Sequence, residues 1–462
     1  LKSSLDQSLI DHDVLLQKAL SHNGLEHLSP QGLKFLGNQK LSETQRLQLL
    51  TRLDQPNFPK LVDLVIADLR QGNGQPFGRL GIHQHLTLEQ LDELARKRPE
   101  IKSESSFVFL YLSKLVPPNG VNWVADLDEY RKYLDRLNQF AQTLPPAYNS
   151  LKAHVTYRQL QLNLLQEKFD NDLFMRYLQL PRNVYYANPK VIQRLRNRSH
   201  IAQLNSDYSK QTSLPLIGND ETLVKEYLRH FLRNADDFKN YEPYIRTEFL
   251  RQQFAEAKIL AGIGDVEAWA SMLTPEQYKA LIERTDIDFA STNPRYLKAD
   301  DKVELELFIK NIDTLIVKVF EINTENYYRK HRREIDTDIN LDGLVPNFER
   351  TVTYDEAPSI RKRRKFEFPE LDKRGVFIID FIAGGISSRA LIRKGRMEVI
   401  GKINAAGHSM FVLDHFANKK LKDATLWIEG KRYKPDEDGY IQVPFSTQPG
   451  TTQAIVTQGD YS

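Results

Sequence analysis

The sequence predicts a helical N-terminal region followed by two antiparallel β-sandwich domains, and three observations carry that expectation. Apolar residues recur at helical spacing up to about residue 290 and alternate from about 296. Val303, Leu305, Leu307 and Ile309 fall on one side of an extended chain, with Lys302, Glu304, Glu306 and Phe308 on the other. Turn signals then return at short intervals, as in Asp342-Gly343, Gly384-Gly385 and Asp436-Glu437-Asp438-Gly439. The two periodicities cannot share one layer, so separate cores are required. The expected domains are 1–145 and 146–295, both helical and open to being one unit, then sandwiches at 296–385 and 386–462.

In the helical half, Leu5, Leu9, Ile10, Leu15, Leu16 and Leu20 suggest a first apolar face, and Leu61, Leu64, Val65 and Leu69 a second. Thr87-Leu88-Glu89-Gln90 has the form of a capping box, with Arg96, Lys97 and Arg98 at the negative end of the helix it starts. Pro145-Pro146 marks a boundary. Val155, Leu162, Leu165 and Phe169 continue the helical spacing, and Leu223, Tyr227, Leu228, Phe231 and Leu232 form an amphipathic stripe. Thr274-Pro275-Glu276-Gln277 is a helix start, and Gly262-Ile263-Gly264 a helix stop. Strands are expected at 302–309, 314–321, 350–354, 364–368, 375–382, 389–394, 397–402, 408–414, 423–429, 440–443 and 452–457.

Composition bounds the chemistry. The 462 residues carry 64 basic and 61 acidic side chains, a net charge of +3. Such balance argues against a whole-chain nucleic-acid binder and predicts solubility. With no cysteine, disulfides, zinc–thiolate sites and a Cys nucleophile are excluded. No run reaches the ~18 apolar residues a membrane span needs. The chain opens on Leu1 and ends abruptly at Ser462, which predicts a segment of a longer protein.

Two stretches in the last third resemble the macroglobulin-type sandwich domains of the alpha-2-macroglobulin family. One is Lys302–Ile312 leading into Leu315–Phe320, with Phe368-Pro369-Glu370-Leu371 and Arg374–Asp380 as its closing element. The other is Met410–Asp414 with Leu421–Trp427 and the turn Asp436–Ile441. The resemblance implies sandwiches, an extracytoplasmic setting and a protein-facing, protease-inhibitor-related role. Covalent trapping is outside it, because the family's thioester needs a cysteine. Residues 1–290 resemble no family known to us.

Candidate chemistry is sparse. His83 and His85 near Glu89 and Asp92 lack a third spaced ligand and read as solvated loop histidines rather than a metal site. His12, His22 and His27 lie among polar residues. Gly72, Gly74 and Gly78 miss the dinucleotide spacing, and Gly-x-Ser-x-Gly is absent. Asp436 and Asp438 read as a turn, Ser387-Ser388-Arg389 as a strand connection, and Trp427 as a sandwich-core residue. No cofactor or metal is implied.

The charged runs are the strongest signals. Arg361-Lys362-Arg363-Arg364-Lys365 reads as a solvated inter-strand loop balanced by Glu349, Asp355 and Glu356. Tyr327-Tyr328-Arg329-Lys330-His331-Arg332-Arg333 follows a strand and mixes aromatic with basic residues, as contact surfaces do. Tyr327, Tyr328, Arg329, Lys330, Arg332 and Arg333 with Arg361–Lys365 are the candidate macromolecular contact, one basic face on the first sandwich. The leading function is a non-catalytic structural or protein-binding segment of a larger protein. Two alternatives stand: a peptide or glycan hydrolase with its site in the helical half or at the helix–sandwich junction, and polyanion binding through the basic runs.

Overall fold

A computed structural model describes residues 11–21, 30–70, 76–118, 123, 126–294, 297–447, 450–459 and 461–462. His22, His27, Gly72 and Gly74 lie outside the described residues. The chain divides into two compact units: residues through Leu162 with Asp170–Leu223 and Pro243–Arg246, and Asn163–Phe169 with Val224–Glu242 and Thr247–Ser462.

The first unit is helical. Its helices include Glu43–Arg52, Leu61–Leu69, Leu88–Lys97, Ser105–Leu115, Leu127–Gln142 and Asn171–Gln179. The Thr87 hydroxyl accepts from the Gln90 amide while Gln90 returns to the Thr87 backbone, the capping box read from the sequence. One core runs from Leu16 through Leu49, Leu91, Phe107 and Leu137 to Leu151, Leu162 and Leu214. It continues across Pro145-Pro146, so that pair does not separate two cores.

The second unit begins its own fold with helices that include Thr247–Ala261 and Pro275–Glu283. The first stops where expected: Gly262 and Gly264 take φ of 64° and 73°, and the Ile263 amide donates to Lys258 O at 3.1 Å. At the end of the second, Lys310 Nζ donates to Ile282 O (3.2 Å) and Arg284 O (2.5 Å), and Asn311 Nδ2 to Glu283 O (3.0 Å). A buried cation thus meets the negative end of a helix and its orphan carbonyls.

The β part has fourteen strands among the described residues: β1 Asp286–Phe289, β2 Glu304–Lys310, β3 Thr314–Glu321, β4 Phe348–Thr353, β5 Lys362–Glu367, β6 Gly375–Ala383, β7 Ile386–Lys394, β8 Met397–Asn404, β9 Gly407–Asp414, β10 Lys419–Lys420, β11 Thr425–Ile428, β12 Lys431–Tyr433, β13 Ile441–Val443 and β14 Ala454–Thr457. Sheets β1-β2-β5 and β4-β3-β6-β7, all antiparallel, enclose Leu305, Leu307, Val317, Val319, Phe366, Phe377, Ile379 and Phe381. The second module pairs β8, β10 and β13 around β9, and β12 and β14 around β11, over a small core of Val412, Ala424, Leu426, Ile441 and Val443.

Three features differ from the expectation. β1 lies before residue 296 and joins the first sandwich through Ile287↔Ile309; its four residues are too short for a period to register. The expected split at Gly385 falls inside a hairpin, since β7 pairs with β6 along its whole length from Gly375↔Lys394 to Ala383↔Ile386. Gly384 and Gly385, with φ of 55° and 78°, are its turn. The segment after β3 is a helix, Thr324–His331, started by the Asn323 side chain accepting from the Asn326 amide and supported by Glu325–Arg329 at 2.8 Å. That helix explains why β6 is buried on both faces: Phe377, Ile379 and Phe381 enter the sandwich core, while Val376 and Ile378 pack with Phe320, Ile335 and Tyr461, against which Tyr327 and Tyr328 also lie.

Candidate functional site

The two basic runs have different fates. Lys362–Lys365 lies on the strand β5 rather than in the expected loop, with Arg361 just before it, and the partner β2 supplies carboxylates diagonally, two positions from the directly paired residues. Lys365 meets Glu304 at 2.8 Å and Glu367 at 3.4 Å, and Arg363 reaches Glu306 and Glu167. Arg361 contacts Asp288 at 2.9 Å and Asp286 at 3.6 Å and lies over the Phe308 ring at 4.3 Å. Lys362 meets Glu356 at 3.3 Å, and Arg364 shares that carboxylate while stacking on Tyr354. Every cation of the run is paired. The balance expected from Glu356 is present, but Glu349 serves Lys318 instead (3.6 Å). Acids from β1, β2 and the 163–169 segment neutralise the rest, which linear sequence around the run does not reveal. A face saturated in this way offers a polyanion little.

The 327–333 segment makes its contacts elsewhere, so the two runs do not merge into one basic face. Tyr327 stacks on His331 at 4.4 Å, and Arg393 donates to the Tyr328 hydroxyl at 3.1 Å. Burial raises the Tyr328 phenol above its ordinary value. Arg329 lies 4.9 Å over the Trp427 ring, and Arg432 on β12 reaches back to Glu325. Trp427 is therefore half-buried under a guanidinium rather than in the small core, because Val412, Ala424 and Leu426 already fill it. Arg332 takes the left-handed conformation at φ 52° and its carbonyl accepts from Gln453 Nε2 at 3.0 Å. Arg333 meets Asp338 at 3.3 Å, and Lys330 is exposed. Tyr328, Arg332 and Arg333 join Arg393, Met397, Phe416 and Tyr461 along a cleft of ≈ 710 Å³. The helix wedges the β modules together.

The histidine readings change. His83 sits in the short helix Gly81–His85, fully buried, stacked on Phe77 at 4.7 Å, with Nδ1 accepting from the Gly78 amide at 2.9 Å. It clamps the preceding turn and is not solvated; its apolar neighbours, Ile82 and Phe77, were the available signal. His85 remains exposed. Asp92 accepts from the Tyr111 hydroxyl at 2.5 Å. Among the described residues no group of three His, Asp or Glu is placed to hold a metal. No histidine lines the clefts of ≈ 710, ≈ 550 and ≈ 430 Å³.

Comparison with known proteins sets this geometry in a family. A family model described as the actin-binding protein F N-terminal domain matches residues 9–285. The chain belongs to this family. A second actin-binding protein F model, for the first immunoglobulin-like domain, matches residues 315–395. The curated "Actin-binding protein F" of Dictyostelium discoideum is 32% identical over 463 residues, covering 98% of this chain. The chain spans 19% of that relative's length. The β modules of this actin-binding protein F family member are accordingly immunoglobulin-like. The macroglobulin resemblance does not amount to a family assignment, because its motifs are strand-and-turn grammar shared by antiparallel sandwiches, and no relation to protease inhibition is shown. A solved structure of Escherichia coli alpha-2-macroglobulin covers 38% of this chain and 64% of its own at 13% identity and TM-score 0.26. The DNA-bound alkylpurine DNA glycosylase AlkC of Pseudomonas fluorescens covers 84% and 94% at 10% identity and TM-score 0.15. Neither similarity is close enough to carry an argument. No described helix is long and apolar enough to cross a membrane.

Two clusters escaped the sequence reading. Arg182 and Asp220, 1% and 0% exposed, form a buried ion pair. Asp220 also accepts from Tyr177 (2.7 Å) and Tyr186 (2.6 Å), and the guanidinium lies 4.2 Å over the Tyr177 ring. Burial opposes the Arg182 charge, but the surrounding Tyr177, Tyr186 and Asp220 more than offset it and hold it above its ordinary value. Nothing in local sequence ties residue 182 to residue 220. The second is the exposed run Lys190, Arg194, Arg196 and Arg198. Its signal was legible: no acidic residue occurs between Asp172 and Asp207.

Proposed function

We propose that this chain is a non-catalytic, protein-binding part of a larger actin-binding protein, with actin as the partner. The carrying observation is that two actin-binding protein F models match it in order, helical then immunoglobulin-like. The geometry supports the non-catalytic part of the reading: the cations of the 361–365 run are consumed in intramolecular pairs, and the buried His83 and His154 clamp a turn or pack on an aromatic ring. We place the boundary between the β modules after Lys394, where Gly395 bonds to Leu297 O (2.9 Å) and accepts from the Tyr461 hydroxyl (2.7 Å). On this reading the β modules serve as spacers within the longer protein.

The test is co-sedimentation of the purified 462-residue chain with filamentous actin. Saturable pelleting that depends on the filament is the expected result. A chain that stays in the supernatant at every filament concentration refutes actin as its partner.

A further inference from the structure

We propose that the Pro181–Ala202 loop of the helical unit is a docking ridge for an acidic protein surface, with Lys190, Arg194, Arg196 and Arg198 as its contact cations. This deepens the protein-binding reading and rests on it for the choice of filamentous actin as one probe.

All four side chains are exposed. Among the described residues none of them makes a hydrogen bond or ion pair through its charged group, unlike each cation of the 361–365 run. Four neighbouring like charges left without counter-ions raise the free energy of the isolated chain, and an acidic partner relieves that cost. Between Asp172 and Asp207 the chain offers no carboxylate of its own. The nearby Glu221 is engaged by the Tyr185 hydroxyl at 2.6 Å.

The backbone that carries these charges is fixed at several points. Its ends meet: the Ala202 amide donates to Pro181 O at 2.7 Å, and Arg182 bridges Ala202. The adjoining Arg182 is locked into the buried Asp220 pair. Along the loop, Asn188 accepts from the Lys190 amide at 3.1 Å and Asn197 from the Ser199 amide at 2.9 Å. The Asn188 amide donates to Tyr244 O at 2.9 Å, and Asn149 Nδ2 to His200 O at 2.8 Å. Val191, Ile192 and Leu195 turn inward and are half-buried. A backbone fixed at this many points loses little entropy when it docks.

Tyr185, 60% exposed, adds an aromatic to the same loop. Tyr and Arg are the residues that dominate binding energy at protein interfaces. The chain's overall charge of +3 argues for a local protein contact over a nucleic-acid groove, which needs a longer basic track.

The experiment compares the 462-residue chain with the variant K190E/R194E/R196E/R198E on poly-L-glutamate resin and in filamentous-actin sedimentation. The wild type should be retained by poly-L-glutamate and released by salt, and the variant should bind both probes at least ~10-fold more weakly. The charge-preserving K190R/R194K/R196K/R198K chain should bind the resin like wild type. An unchanged thermal midpoint is expected because the four side chains have no folded-state partners; if the midpoint falls, R196E/R198E serves in its place. Equal retention of wild type and variant, or a wild type that ignores poly-L-glutamate, overturns the proposal. So does tighter binding to a DNA duplex than to poly-L-glutamate. Variant-sensitive binding to the resin without actin sedimentation leaves the ridge standing and removes actin as its partner.

Discussion

Replacing Asp220 with alanine should destabilise the helical unit more than any exposed charge substitution. The variant leaves the 1% exposed Arg182 guanidinium without a counter-ion and removes the acceptor of two tyrosine hydroxyls. Breaking a buried pair by deleting one partner costs about 3–5 kcal/mol. With a urea slope of about 2–3 kcal/mol/M, the midpoint should fall by about 1.5 M. Arg182→Met should cost less, because the Asp220 carboxylate keeps both hydroxyl donors. The double variant R182M/D220L should cost less than the sum of D220A and R182M, since each single change strands a group that the double change removes. Trp123 is the reporter: in a W269F/W427F background its fluorescence follows the helical unit alone, because the other two tryptophans belong to the second unit. A D220A midpoint within about 0.3 M of its parent would mean that water or relaxation compensates the charge, and the account of this cluster would be wrong.

Other outcomes come from the same geometry. His154 is 1% exposed with neither ring nitrogen hydrogen-bonded, and burial lowers its pKa from 6.5 to about 4. The folded form resists protonation, so its contribution is whole above pH 6.5 and is lost as pH falls toward 4; H154F should flatten that part of the stability curve by up to about 3 kcal/mol. An acid limb unchanged in H154F would count against it. Arg363→Ala, despite removing contacts to Glu167 and Glu306, should shift stability by no more than about 1 kcal/mol, because the pair is solvent-screened. Gly407→Ala should disrupt the second β module, since φ is +131° and the added Cβ would collide with Val443 O; loss of its near-ultraviolet signal would report this, and a native-like spectrum would refute it. Trp427→Ala should release Arg329 and raise proteolytic cleavage near 395, with unchanged cleavage the contrary result.

The elements that declared themselves in the sequence are those whose signal is local. Thr87-to-Gln90 is the capping box as read, Thr274-to-Gln277 starts a helix as read and closes a capping box of its own, and β2, β3 and β6 sit where strands were expected. The 324–331 helix was hidden because Tyr327–Arg333 read as an aromatic and basic contact segment following a strand, whereas the Asn323 cap and the Glu325–Arg329 pair decide its conformation. The pairing of the basic run was hidden for a related reason. Charge density along the chain singled out 361–365, yet a cation's availability depends on what lies across the sheet, and Glu306 is 57 positions from Arg363. The sparser 190–198 run stays free because no acidic residue occurs along the chain between Asp172 and Asp207.

The helix Thr324–His331 has a mechanical corollary. It is held on one side by Tyr328 against Arg393 and on the other by Arg329 over Trp427 and by Glu325 to Arg432. Tandem modules on slack tethers yield to tension one at a time, each with its own rupture. Here the wedge ties both modules to one keystone, so a pull across the two β modules should register as a single yielding event.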